Sequence, residues 1–227
     1  DIKATDVIKL AKKYYGGIPA KKLPQRIAWV EPLHQSNRRI ELRHKQVRQP
    51  RWSRRFIAPN VMQNAALSRA LEILAEIIGG GTTGRIYRSL VVEQKVAASA
   101  GAWFDGDTRG PAAFSFFASP LPGKTTRDIE EAMDKVLANL IEKGVTEREV
   151  DVAIRRLQDA AVLARDGLYG PAIILGRALA VGLKVDDVEK WPSRIALVTN
   201  KDVNEAITKV FWRTGSVTAV LLPERKE

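Results

Sequence analysis

The chain has 227 residues, 45% hydrophobic and 28% charged, enough to bury a full core as one large domain or as one domain with an added segment. Its formal charge is +11 and it has no cysteine, which excludes disulfides, thiolate zinc sites and cysteine nucleophiles together while leaving the compartment open. No apolar run reaches the roughly 20 residues of a membrane-spanning helix, and Asp1 to Asp6 lacks the basic start and apolar stretch of a signal peptide, so any export signal is expected upstream of Asp1.

In chain order, Thr5-Asp6 followed by Val7, Ile8, Leu10, Ala11, Tyr14 and Tyr15 predicts a capped amphipathic helix, stopped by Gly16-Gly17-Ile18-Pro19. Lys21 to Ser36 holds Pro24 and Pro32 with little periodicity and reads as a linker, so residues 1–36 are set apart from a folded unit over 37–227. Strands are expected over Arg39 to Val47 and Trp52 to Ala58. Asn60 is then expected to cap a helix carrying Leu67, Leu71, Leu74 and Ile78, which Gly79-Gly80-Gly81 ends. Thr82 and Thr83 are placed as caps of a shorter helix through Ile86, Tyr87 and Leu90. Ala97 to Phe104 and Ala112 to Ala118 read as strands joined by a turn in Asp105-Gly106-Asp107.

Thr125-Thr126 starts a helix with Ile129, Met133, Val136, Leu137, Leu140 and Ile141 on one face, closed by Gly144. Thr146-Glu147-Arg148-Glu149 is a capping box opening a helix to about Arg165. Helical signals follow Pro171 and Thr199-Asn200, and Ser216 to Leu222 is a final strand. Strands ahead of paired long helices, with one strand returning at the end, predict an α+β sandwich in which an antiparallel sheet packs against helices, not a βαβ repeat.

Three groups of residues invite a chemical reading. Positive charge is densest from Arg38 to Arg55, the footprint of a phosphate-binding surface, but Ile40 and Leu42 alternate within it and only Trp52 and Phe56 interleave it, so a half-buried strand with a solvated basic face is expected. Glu31-Pro32-Leu33-His34 and Glu41-Leu42-Arg43-His44 repeat a Glu-x-x-His spacing that holds two metals when placed on helices. Pro32 interrupts the first, and strand geometry sends Glu41 and His44 to opposite faces in the second, so no metal is assigned. Neither histidine opens a His-x-x-Glu-His pattern. The loop Gly79 to Arg85 has the glycines of a phosphate cradle but follows a helix and lacks Gly-Lys-Ser/Thr, so a helix-to-helix turn fits better.

The string Gly79-Gly80-Gly81-Thr82-Thr83-Gly84-Arg85-Ile86-Tyr87-Arg88-Ser89-Leu90, between an apolar helix and a small-residue strand, resembles a signature of insulinase-like (pitrilysin-type) zinc metallopeptidases, in which a glycine turn, a hydroxyl or small residue, Arg-Leu-Tyr and a leucine come in this order. The likeness extends through Thr146 to Glu149 and Val198-Thr199-Asn200-Lys201-Asp202-Val203 to the closing strand. Lys12-Lys13-Tyr14-Tyr15-Gly16-Gly17-Ile18-Pro19 is similar to the end of that family's preceding domain.

The resemblance implies the metallohydrolase fold shared by insulinase and the mitochondrial processing peptidases, and two such domains closing on a peptide like a clamshell. It puts the zinc-binding half, with His-x-x-Glu-His and a distant third ligand, upstream of Asp1, leaving no zinc site in this segment and no activity in the segment alone. The zinc-free half of the family often carries an Arg and, seven residues later, a Tyr that reach the substrate. Counting from Leu90, those positions here hold Val91 and Ala98, which cannot hydrogen-bond an oxyanion. Some bacterial members divide zinc ligands and the Arg/Tyr pair between two polypeptides, so the resemblance implies three partners: a peptide substrate, the upstream catalytic domain and a second subunit supplying Arg and Tyr. It suggests a bacterial periplasmic location, with the cytoplasm as the alternative. A non-catalytic assembly subunit of the same family and a basic nucleic-acid-binding domain are the competing readings.

Overall fold

Period-two alternation decides which residues of each strand share a side of the sheet. The computed structural model describes residues 2–22, 36–211 and 215–224, and the chain divides into two compact units, Asp1–Glu31 and Pro32–Glu227. The linker expected over Lys21 to Ser36 lies mostly outside the described residues. Among its described residues the first unit carries one helix, α1 (Ala4–Tyr15), which starts without a side-chain cap, at Lys3 instead of the expected Thr5-Asp6.

The second unit runs β1 (Arg38–His44), β2 (Arg51–Ala58), α2 (Ala65–Gly79), a 3-10 turn (Gly81–Thr83), α3 (Arg85–Tyr87) continuing into a π-helical turn (Arg88–Glu93), β3 (Ala97–Asp105), β4 (Ala112–Pro120), α4 (Thr126–Lys143), α5 (Glu147–Leu163), α6 (Gly170–Val181), α7 (Val185–Glu189), α8 (Trp191–Ile195), α9 (Asn200–Phe211) and β5 (Val217–Pro223). The five strands form one sheet in the order β1-β5-β2-β4-β3. Three of its pairings are antiparallel, whereas β1 pairs parallel with β5, which inserts between β1 and β2.

Helices α2, α4 and α9 pack against the strands, and α5 packs outside them on α2 and α9. Toward the helices the strands send Trp52, Phe56, Phe114, Phe116 and Val220, all buried. Phe211 from α9 completes an aromatic cluster, edge-on to Phe56 and Phe114 with ring centroids 5.1 and 5.0 Å away. Each fully buried aromatic contributes about 1.5–3 kcal/mol of transfer free energy, and each well-formed pair adds about 0.5–1.5 kcal/mol.

Two local expectations are corrected by packing. Asn60 does not cap α2. It is buried, accepts from the Gln63 amide at 2.8 Å and donates to the Thr108 and Gly110 carbonyls, bracing the β3–β4 connection. The cap is Asn64, whose side chain accepts from the Leu67 amide at 3.0 Å. Thr82 and Thr83 likewise do not cap α3, which begins after Gly84 with no side-chain cap. Thr83 instead donates to the Gly80 carbonyl and accepts from Arg156 of α5.

Gly79 marks the closest approach of α2 to the sheet, since a Cβ there would sit 2.1 Å from the Ala102 carbonyl oxygen of β3. Backbone offers no flexible side chain to move aside. Gly79→Ala is expected to destabilise the domain by about 2 kcal/mol or more, read from the midpoint of urea unfolding against a Gly110→Ala control, whose Cβ meets nothing within 4 Å.

Candidate functional site

Within the second unit and among the described residues, α2, α4 and α9 pack on one face of the sheet and leave its other face without a helix. Register places Ile40 and Leu42 of β1, Ala219 and Leu221 of β5, Ser53 and Arg55 of β2, Phe117 of β4, and Gly101 and Trp103 of β3 on this side. Ile40 is 58% exposed, Leu42 57%, Trp103 47% and Phe117 42%. A Cβ on Gly101 would stand 2.8 Å from the Phe117 ring, so the missing side chain lets that ring lie flat across β3. The result is a broad apolar surface with basic residues set into it.

This changes the reading of the basic stretch. β1 is not half-buried, since every one of its residues is exposed. Its apolar side, Ile40 and Leu42, points away from the helices, and Arg39 on the helix side pairs with Glu130 of α4. Arg54, with a side chain only 12% exposed, donates to Thr218 at 3.0 Å and Glu130 at 3.1 Å, pairs with Asp134, and stacks its guanidinium over Trp52 at 5.2 Å. Arg43 pairs with Glu41. Three arginines of the stretch are thus held by carboxylates, while Arg51 and Arg55 remain exposed on the uncovered face.

Val91 lies on the π-helical turn, half-buried against the core. Ala98 is exposed on β3 at a register shift between Ala97 and Ser99. The two sit on consecutive elements at one end of the domain, joined by the Val96 amide donating to the Leu90 carbonyl at 2.9 Å. Glu41 and His44 lie on opposite sides of β1, and the Glu31 to His34 motif lies outside the described residues. Among the described residues no group of three or more His, Asp or Glu side chains is arranged to hold a metal ion. The described residues do not fit a zinc site.

The glycine loop is a structural joint. Arg85 donates Nε to Glu149 Oε1 at 2.7 Å and Nη2 to Oε2 at 2.6 Å, and its Nη1 reaches the Gly144 carbonyl at 3.0 Å. Glu149 also closes the capping box of α5, accepting from the Thr146 amide and hydroxyl. From the other side Asn204 of α9 accepts from the Val145 amide at 2.8 Å, and Asn200 donates to its carbonyl at 2.6 Å. Gly144 turns at φ +64°, and a Cβ there would meet Asn204 Oδ1 at 2.1 Å. One arginine from the loop therefore joins the end of α4 to the start of α5.

With this geometry in hand, the family is decided by a model that matches residues 1–157 and is described as the peptidase M16 inactive domain. The chain belongs to this family. Solved structures share the fold across the whole domain: a protease from Helicobacter pylori (TM-score 0.85, 18% identity, 98% of this chain and 54% of that one), a peptidase M16 inactive domain from Pseudomonas fluorescens (0.72, 19%, 100% and 52%) and the periplasmic protease PqqL from Escherichia coli (0.69, 16%, 99% and 24%). This M16 chain spans about half the length of the first solved structures it resembles. A search of curated proteins finds no match. The likeness of the Gly79 to Leu90 string to insulinase-like peptidases agrees with membership of the M16 family, and the α+β sheet-on-helices fold is the one found.

Sequence reasoning missed the uncovered sheet face, although its signal was present: Ile40 and Leu42 alternate with charges, and Trp103 and Phe117 stand out of phase with the buried positions of their strands. The Arg85–Glu149 pair had no sequence signal beyond Arg85 lying in the signature and Glu149 in the capping box.

Arg85→Ala is expected to cost about 2 kcal/mol, because it leaves a half-buried carboxylate and a carbonyl without their donor. Burial pushes the Glu149 carboxyl up, but the hydrogen bonds from Arg85 and Thr146 outweigh it and hold the group below its ordinary value of 4.5. A lowered native value gives stability that is complete above the unfolded value and is lost as pH falls through the native one. The deficit of Glu149→Gln relative to the parent, measured by urea unfolding, is therefore expected at pH 7 and to shrink below about pH 4.

Proposed function

We propose that this chain is the zinc-free half of a zinc metalloendopeptidase that closes over an upstream catalytic half and encloses peptide substrates. The observation that carries the reading is the uncovered, apolar and partly basic face of the five-stranded sheet. A domain exposing Ile40, Leu42, Trp103 and Phe117 together has a surface suited to a partner wall or an extended peptide. Helix α1, none of whose residues is buried, carries Val7, Ile8 and Leu10 exposed and supports a neighbour for the first unit as well. An inactive peptidase domain from Bordetella parapertussis, described as part of a candidate zinc protease, shares the fold over 82% of this chain and 96% of its own length (TM-score 0.70, 19% identity). A split of labour between a metal-bearing half and this one fits the M16 inactive-domain assignment.

On this reading, residues 1–36 end the preceding domain and link it to the domain over 37–227, and zinc is held upstream of Asp1. Val91 and Ala98 occupy the positions where the family's Arg and Tyr reach the substrate, and a second subunit provides that pair. The periplasm, the compartment of protease PqqL, is the proposed location, and no described helix is long and apolar enough to cross a membrane.

The test uses the full polypeptide alongside the 227-residue chain. The chain alone is expected to bind no stoichiometric zinc and cleave no peptide, and the full polypeptide to hold one zinc by elemental analysis. Absence of zinc from the full polypeptide overturns the peptidase reading and favours an assembly subunit. Introducing Val91→Arg with Ala98→Tyr into the full polypeptide is expected to produce peptide cleavage without a second subunit, scored with a quenched fluorescent peptide library.

A further inference from the structure

Away from the uncovered sheet face, a cavity of about 650 Å³ opens between α2, the β3–β4 connection and the segment from the end of α5 to α8. Its size lies in the range of small-molecule sites. Most of its wall is apolar, from Val61, Ile174, Leu175, Leu183, Val188 and the Trp191 ring. Glu72 of α2 stands in this wall, largely withdrawn from solvent. Its Oε2 accepts from the Trp191 indole N–H at 2.8 Å, and among the described residues no donor reaches Oε1.

We propose that this cavity is a binding site for an apolar molecule carrying a protonated amine, with the ammonium on Glu72 and the hydrocarbon against the Trp191 and α6 wall. The carboxylates around the cavity favour this sign of charge. Asp107 also lines the wall, and its negative charge and that of Asp105 add to the burden on Glu72, whereas the positive charge of Arg69 relieves it. Arg194 is already bound by Asp186 and Asp187, Arg177 faces Asp105, and Glu189 and Arg165 also line the cavity. A cation entering here meets a carboxylate with an open acceptor, while an anion meets the charges of Glu72 and Asp107, offset by Arg69 and Arg165 in the same wall.

The titration of Glu72 supplies a second readout. Burial, above all, pushes its carboxyl from 4.5 up to about 7, against the pull of the Trp191 hydrogen bond. Ionised Glu72 therefore becomes abundant only above neutrality, and an ammonium bound to it draws the value back down, releasing a proton.

Isothermal titration calorimetry of the 227-residue chain with hexylamine, hexanol and hexanoate tests the proposal. Hexylamine is expected to bind about tenfold or more tightly than the other two, a charge-assisted hydrogen bond being the difference. Its affinity is expected to rise about tenfold from pH 6 to pH 8, since the amine stays protonated while Glu72 ionises. Near pH 7, buffers of different ionisation enthalpy are expected to report release of roughly half a proton per ligand. Glu72→Gln keeps the acceptor for Trp191, so the fold is retained, and it is expected to abolish both the amine preference and the proton release. Hexanoate binding as tightly as hexylamine, an unchanged Glu72→Gln, or no heat from hexylamine at millimolar concentration would each overturn the site.

Discussion

The domain depends on how the turn between α4 and α5 is held. Gly144, Val145 and Thr146 connect two long helices, with Val145 buried, Gly144 half-buried and Thr146 exposed. Arg85 satisfies the Gly144 carbonyl and the Glu149 carboxylate at once, while Asn200 and Asn204 satisfy Val145 from the opposite side. A planar guanidinium suits this task because its donors point in fixed directions toward separate acceptors. Loop, α4, α5 and α9 are thereby brought to one point, and the faces of α2, α4 and α9 that cover the sheet are set by it.

The same joint explains why a glycine-rich loop can look like a ligand site and yet serve packing. Gly79 lets α2 touch the backbone of β3, Gly81 turns at φ +65°, and Thr83 is fixed by Arg156. The Gly80 and Gly84 amides of the loop are taken by the Glu76 and Gly81 carbonyls. The M16 inactive-domain signature is, in this chain, a set of residues that lock a helix end against a sheet.

Much of the fold was legible because its signals are local. The hydroxyl start at Thr125, the capping box at Thr146 and the glycine at 144 set the ends of α4 and α5 to within a residue or two, and strand-like runs bounded by turn signals located the five described strands. What was not legible depends on tertiary neighbours. Asn60 and Asn64 are equally good caps by residue type, and only the carbonyls of Thr108 and Gly110 draw Asn60 away. The apolar side of β1 was assigned to the core because alternation tells which residues share a face without saying which face is covered. Glu72 and Trp191 are 119 residues apart, and no spacing rule connects them.

The place of β5 in the sheet has a consequence for biosynthesis. β1, among the first segments of the domain to leave the ribosome, has its one strand neighbour among the described residues in β5, among the last. The hairpin-like core of β2, β3 and β4 with α2 and α4 is able to collapse while synthesis continues, but β1 must wait as an unpaired, partly apolar strand until residues 217–223 arrive and slide between it and β2. Closing such a long loop is slow relative to local pairing. The nascent domain therefore passes through a stage in which a strand with three arginines, Ile40 and Leu42 is accessible to chaperones, and the charges of β1 serve during that interval as a guard against self-association.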